Sequence, residues 1–145
     1  MMFKKILYPT DFSDVADRAL EFIKSLQGTG TEEVVMLHVI DQRTLDITIA
    51  RAGSSFMDLE ERLVKGTEED FAPRVKELTD LGFRVKTIIR KEVPFREILK
   101  VEQEENPAVI VVGSHGRSNI AEMLLGSVSE KVVRKAKSPV LVIKR

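Results

Sequence analysis

The apolar run Val109–Val112 opens directly into Gly113-Ser114-His115-Gly116-Arg117, and, with nine residues intervening after Gly116, a further glycine, Gly126, precedes Ser127. Glycines placed straight after a buried strand permit positive φ and let backbone N–H groups approach a ligand with no side chain between them. The ligand such a surface recruits is an anion. Gly126 and Ser127 lie beside Leu124, Leu125, Val128 and Val132, where a glycine inside a helix would cost about 1 kcal/mol relative to alanine. A helix that starts at this point escapes that cost. Ser127 is then the expected N-cap, with Glu130 at capping-box spacing, and the first turn offers N–H groups at the positive end of the helix dipole. Two such features can embrace one polyphosphate, with the Ser127 and Ser129 hydroxyls as further donors. The plainer reading of the same glycines is a tight strand-to-helix turn at Gly113 and Gly116 and a helix kink at Gly126.

Holding these features together requires elements that end at one place. Five short, nearly continuous apolar runs, FKKILYP, EEVVMLHVID, FRVKTIIR, PAVIVVGS and SPVLVIKR, read as strands buried on both faces. Helical spacing appears between them at Val15, Ala19, Leu20 and Ile23, then from Phe56 to Leu78, then at Phe95, Ile98, Leu99 and Val101. A last helix is expected to carry Ile120, Met123, Leu124, Val128 and Val132. The alternation βαβαβαβαβ predicts an α/β fold: an open, doubly wound, five-stranded parallel sheet with helices on both faces, Rossmann-like in kind. Ligands bind such sheets beyond the carboxyl ends of the strands. That selects YPTDFS, HVIDQR and GSHGRS. The stretch 41–55 has no clear period and is expected to be a loop, either mobile or acting as a lid, with a helix starting at Ser54 or Ser55.

The 145 residues are read as one domain, 1–145, long enough to bury roughly two-thirds of the surface of the unfolded chain. Lys and Arg together number 23, as do Asp and Glu, so a nucleic-acid role has no overall charge behind it. The basic C-terminal stretch from Glu130 carries no interleaved aromatics for stacking on bases. With no cysteine, thiolate catalysis and disulfides are excluded, and a reducing cytoplasm is the expected location. No run of about 18 apolar residues occurs, so neither membrane insertion nor export is expected.

The spacing Gly113-x2-Gly116-x9-Gly126-Ser127 resembles the nucleotide-binding signature of the universal stress protein family, in its ATP-binding branch. KKILYPTDFS, LHVID and SPVLVIKR resemble the corresponding segments of that family as well, so the likeness spans essentially the whole chain. The resemblance implies an adenine nucleotide alpha hydrolase-like sheet of strand order 3-2-1-4-5 and ATP, ADP or AMP as ligand, with Mg or Mn on the phosphates. It further implies that Asp11 lies near the nucleoside, beside Pro9 and Thr10, and that Val39 offers main-chain groups to the adenine edge. Gly113, Ser114, His115, Gly116, Arg117, Gly126, Ser127, Val128 and Ser129 are placed around the phosphates. On residue chemistry alone, Asp11 or Ser13 equally suits the N-cap of the first helix, His38 a satisfied strand histidine, and Arg117 a solvated side chain.

The sequence holds neither a P-loop nor a nucleophile elbow. Three functions remain distinguishable by experiment: a nucleotide-dependent regulatory protein of the stress response, a slow metal-dependent ATP-hydrolysing enzyme using Asp11, and an interaction module whose glycines only shape turns. The apolar last strand is expected at a sheet edge, where pairing with a second copy through Val140 to Ile143 would cover it, as the resemblance also implies. The protein partner and the eliciting signal are not written in the residues.

Overall fold

The structure, a computed structural model, describes residues 3–52, 56–116 and 125–145. The five apolar runs form β1 (Lys5–Pro9), β2 (Glu33–Asp41), β3 (Arg84–Glu92), β4 (Val109–Gly113) and β5 (Val140–Ile143). All pair in parallel, in the order β3-β2-β1-β4-β5. The expected doubly wound sheet is therefore observed, strand order included. Its central strand holds Ile6, Leu7 and Tyr8 with no exposed surface, because helices cover both faces and alternate side chains serve alternate cores.

On one face Ile6, Tyr8, Val34, Met36, Val109 and Val111 pack against α1 (Asp14–Lys24) and α3 (Phe56–Asp80). On the other, Leu7, Val35, Leu37, Ile110 and Val112 pack against α4 (Pro94–Glu105) and α5 (Ser127–Lys135). Burying each large apolar side chain contributes about 1.5–3 kcal/mol. Helix α1 starts as its sequence directs: the Ser13 hydroxyl accepts from the Ala16 N–H at 3.2 Å, and Asp14 and Asp17 fill the first turn. Arg74 of α3 donates a forked pair of bonds to Asp17, at 2.9 and 3.0 Å, which locks the two helices of that face together.

Two local expectations are corrected. Residues 41–55 are not one irregular loop, for Gln42–Ala52 form helix α2. Thr44, Ile47, Thr48 and Ile49 are poor helix formers, and of the described side chains in this helix only Leu45 is buried, so no apolar stripe betrays it. Its start is set instead by Asp41, whose carboxylate accepts from the Arg43 backbone N–H at 3.0 Å and from the Arg43 guanidinium. The second correction concerns α5. Its N-cap is Gly126 rather than Ser127, and Glu130 pairs with Arg134 instead of closing a capping box. The expected helix start at Ser54 or Ser55, and Ile120, Met123 and Leu124 of the expected last helix, lie outside the described residues. Among the described residues no helix is long and apolar enough to cross a membrane.

Helix α1 lies against the end of β4 at a distance only glycine allows: a Cβ on Gly113 would stand 2.8 Å from Val15 Cγ1 and 3.2 Å from the Val15 carbonyl carbon. Gly113→Ala is therefore expected to destabilise the fold by about 1–3 kcal/mol, the range for overpacking, as read by urea unfolding at constant m-value. At the opposite end of the sheet, Glu105 of α4 receives Lys86 at 2.8 Å and Lys5 at 3.2 Å. The Lys86 hydrogen bond, and after it that of Lys5, holds its carboxyl below the usual carboxylate range. A carboxyl lowered in the folded state gives stability above its unfolded value, about pH 4.3, that is lost as pH falls through the folded one. Thermal melts should accordingly show Glu105→Gln less stable than the parent at pH 7, by no more than about 1 kcal/mol, with the difference vanishing towards pH 3.

Candidate functional site

Strand β1 is followed in sequence by β2 on one side of it and neighboured by β4 on the other, so the carboxyl end of β1 is where the winding direction reverses. A crevice must open there, because the crossovers leave in opposite directions. It is a cleft of about 500 Å³, within the ordinary range for small-molecule sites. Pro9, Thr10 and Asp11 enter it from β1, His38, Val39 and Asp41 from β2, and Thr44 from α2. Gly113, His115 and Gly116 come from the end of β4, and Gly126, Ser127, Val128 and Ser129 from the start of α5. Of the residues placed at the ligand by sequence, all but two line this one cleft. Ser114 is 1% exposed and lies behind the wall, and Arg117 lies outside the described residues.

The glycines act through space rather than through left-handed backbone, for none of the three has positive φ. A Cβ on Gly116 would sit 2.7 Å from Asp11 Oδ2. A Cβ on Gly126 would lie 3.3 Å from His115 Cα, 3.4 Å from the Ser114 carbonyl oxygen and 3.5 Å from the Gly116 nitrogen. The two glycine segments thus touch backbone to backbone. Gly126 N–H donates to the Ser114 carbonyl at 2.7 Å, Glu130 N–H donates to the Gly126 carbonyl at 2.9 Å, and no side chain caps the helix. The N–H groups of Ser127, Val128 and Ser129 consequently have no partner within the helix, and they stand at its positive end.

Ser129 is used differently from the sequence expectation: its hydroxyl donates to the Gly113 carbonyl at 2.7 Å, so it braces the glycine loop against α5. The Ser114 hydroxyl and His115 Nδ1 lie 2.8 Å apart, which fixes the imidazole ring at the cleft wall. His38 is the satisfied strand histidine expected, its Nδ1–H donating to the Thr10 carbonyl at 2.8 Å. Asp11 Oδ1 accepts from the Ser13 N–H at 3.0 Å while Ser13 itself caps α1. Ser13 rather than Asp11 is thus the cap of α1, and Asp11 Oδ2 is turned to Gly116. At the outer rim, the Arg43 guanidinium holds the Asp41 carboxyl below its ordinary range. Beneath the cleft, burial pushes the Tyr8 phenol far up, so it stays a donor, to the Ala16 carbonyl at 2.5 Å.

Sequence reasoning did not single out Pro94, Ile98, Thr44 or Phe12 at the site. Pro94 and Ile98 line the cleft because α4 crosses back from the β3 edge beneath it; the Pro at the start of α4 was the only local sign. Thr44 was hidden with α2, whereas Asp41 ends the β2 segment HVIDQR that the sequence had already placed at the strand ends. Phe12 adopts φ 63°, a left-handed conformation that costs a bulky residue about 1–2 kcal/mol; nothing in its side chain announces it.

Compared with known proteins, the chain matches the sequence model of the Universal stress protein family over residues 2–144. It is 42% identical to the universal stress protein MJ0577 of Methanocaldococcus jannaschii over 157 residues, covering 100% of this chain and 97% of that one. The solved structure of MJ0577 superposes with a TM-score of 0.90, covering 100% and 98% of the two chains. Two more distant structures share the fold at 19% identity. One is an Arabidopsis thaliana universal stress protein family member with AMP bound (TM-score 0.66, covering 98% of this chain and 92% of that one), the other a universal stress protein in complex with cAMP (TM-score 0.67, 98% and 97%). Fold, strand order and a sequence match across nearly every residue agree, and the chain belongs to the universal stress protein family.

Proposed function

We propose that the cleft binds an adenine nucleotide, ATP foremost with ADP and AMP as alternative states, and that occupancy makes the protein a regulatory switch in a stress response. The observation that carries this reading is the backbone contact at Gly126, which brings an uncapped helix N-terminus and the Gly113–Gly116 loop to one wall of the cleft. Such a surface suits phosphate oxygens. The apolar Val39 and Ile98 and the carboxylate of Asp11 suit a base and a ribose at the other wall. The AMP and cAMP found in two relatives support the ligand class. Among the described residues no cluster of His, Asp or Glu could hold a metal by itself, so Mg or Mn would ride on the phosphates. Lack of cysteine fits the reducing cytoplasm, where we place the protein.

Calorimetric titration with ATP and magnesium should give saturable binding at or below about 100 μM, roughly −5.5 kcal/mol, with GTP weaker. Gly126→Leu should abolish it while leaving the circular dichroism spectrum intact, since its side chain would fill the space where the two segments meet. Absence of binding by a parent protein purified free of nucleotide overturns the reading.

We further propose a homodimer through Val140 to Ile143. The outer edge of the opposite strand, β3, is blunted by Arg84, Lys86, Arg90 and Lys91. Strand β5 carries only Val140, Leu141, Val142 and Ile143, none fully buried. Pro139 and Ile143 carbonyls accept from Ile110 and Ser114 of the β4 side, so by alternation the N–H of Val142 points away from the sheet. Val142→Pro removes that donor without touching the β4 ladder. Light scattering should show a dimer for the parent and a monomer for the variant; a monomeric parent at tens of micromolar excludes the pairing.

A further inference from the structure

Thr10 is tied from three directions at the end of β1. Its N–H donates to the Leu37 carbonyl at 2.8 Å, its carbonyl accepts from His38 Nδ1 at 2.8 Å, and its hydroxyl accepts from the Phe12 N–H at 3.0 Å. Three residues on, Ser13 is committed as the N-cap of α1. Between these fixed points the chain has two residues, Asp11 and Phe12, in which to leave the strand and enter the helix, and it does so with Phe12 at φ 63°. Glycine is the residue that occupies this conformation without penalty. A phenylalanine persists there only if its surroundings over-determine it.

They do. The Phe12 ring lies 4.9 Å from the His38 ring, centroid to centroid, and meets Phe71 edge-on at 5.5 Å. The Arg74 guanidinium stands over it at 4.9 Å, in range for a cation–π contact. Arg74 is not a loosely placed cation: Asp17 holds it through two bonds and the Asp70 carbonyl takes a third at 2.7 Å. The clamp is thus built by β2 and α3, with Asp17 of α1 anchoring Arg74, whereas its product is delivered to the cleft. With Phe12 fixed, the Ser13 N–H points back to Asp11 Oδ1, and Asp11 Oδ2 is presented to Gly116.

We propose that Phe12 is a positioning residue for ligand binding: its ring, clamped by His38, Phe71 and Arg74, holds the strained turn that aims the Asp11 carboxylate at the glycine wall of the cleft. This rests on the nucleotide reading for its effect on affinity, but not for its effect on Asp11. If the ring were only core filling, its removal would alter stability and leave the orientation of Asp11 as it is. If it is a clamp, a residue that tolerates the same φ but lacks the ring releases Asp11 while the fold persists.

Phe12→Gly makes that distinction, with Arg74→Leu as a second variant that keeps Phe12 and removes only the cation above it. In nucleotide-free protein, amide hydrogen exchange at Ser13 should quicken by about tenfold in Phe12→Gly, and by less in Arg74→Leu, while core amides of β2 such as Val35 exchange as in the parent. Titration with ATP and magnesium should then show about tenfold weaker binding by Phe12→Gly. In an Asp11→Asn background the same change should cost less than twofold, because the carboxylate it positions is already gone. Unchanged Ser13 exchange, or a tenfold loss that persists in the Asp11→Asn background, overturns the proposal. A parent that binds no nucleotide overturns the function proposed above, and the exchange measurement still decides whether Phe12 holds Asp11.

Discussion

Close approach of backbone to backbone at the carboxyl ends of β1 and β4 is the constraint on which the other features of this protein depend. At Gly113 helix α1 comes within van der Waals distance of the strand end, at Gly116 the Asp11 carboxylate does, and at Gly126 the two glycine segments meet. A Cβ at Gly113 would meet the backbone of Val15 and Ala16 as well as the Val15 side chain, so glycine is required there, whereas a Cβ at Gly116 would displace the Asp11 carboxylate. Such approach leaves main-chain N–H groups as the lining of the cleft wall, and N–H groups with no partner within their helix suit an anion even where, among the described lining residues, no Lys or Arg stands.

How far this could be read from sequence follows from what each feature depends on. The parallel sheet was legible because Ile6, Leu7, Val34, Val35, Ile110 and Val111 are buried on both faces, and continuous apolar runs register that directly; the strand order was implied only by the family resemblance. The place of the cleft was legible because ligands bind doubly wound sheets beyond the carboxyl ends of the strands, while the glycines by themselves also read as a tight turn. Helix α2 was not, for its single described buried side chain, Leu45, leaves no stripe, and its start is written in the Asp41 to Arg43 contact instead of a periodicity. The cap of α5 was misassigned by one residue because Ser127 has the chemistry of a cap, whereas Gly126 has the space. Ser129 likewise reads as a ligand donor, yet its partner is a carbonyl sixteen residues away in the chain. Long-range pairing of this kind has no local signature.

The left-handed Phe12 belongs to the same category. Its cost is local, and its compensation comes from Phe71 and Arg74, some sixty residues distant in sequence. Consistency between local preference and global fold is what makes a chain foldable, and the places where the two conflict tend to be functional. Here the conflict falls next to Asp11, at the cleft, and nowhere in the buried strands. Among the described residues the other non-glycine residue with positive φ, Asn106, has φ 48° at the C-cap of α4, a position that tolerates the conformation without tertiary support.

The polarity of the cleft narrows what can fill it. One wall offers only donors, the N–H groups at the start of α5, and the rim and floor offer carboxylate acceptors at Asp11 and Asp41. No Lys or Arg stands among its described lining residues. An inorganic anion would gain from the first wall and be repelled by Asp11, whose Oδ2 lies close to Gly116 on the glycine side. A purely cationic or neutral ligand would satisfy the carboxylates and leave the helix N-terminus with water alone. A ligand that is anionic at one end and carries hydroxyl or amino donors a few ångströms away meets both demands at once, and a nucleoside phosphate is a compact molecule of that kind. The same reasoning explains why a divalent cation need have no protein cage. Bound to the phosphates, it would place positive charge between them and Asp11, and the acceptor that repels a bare anion would then help to hold the complex.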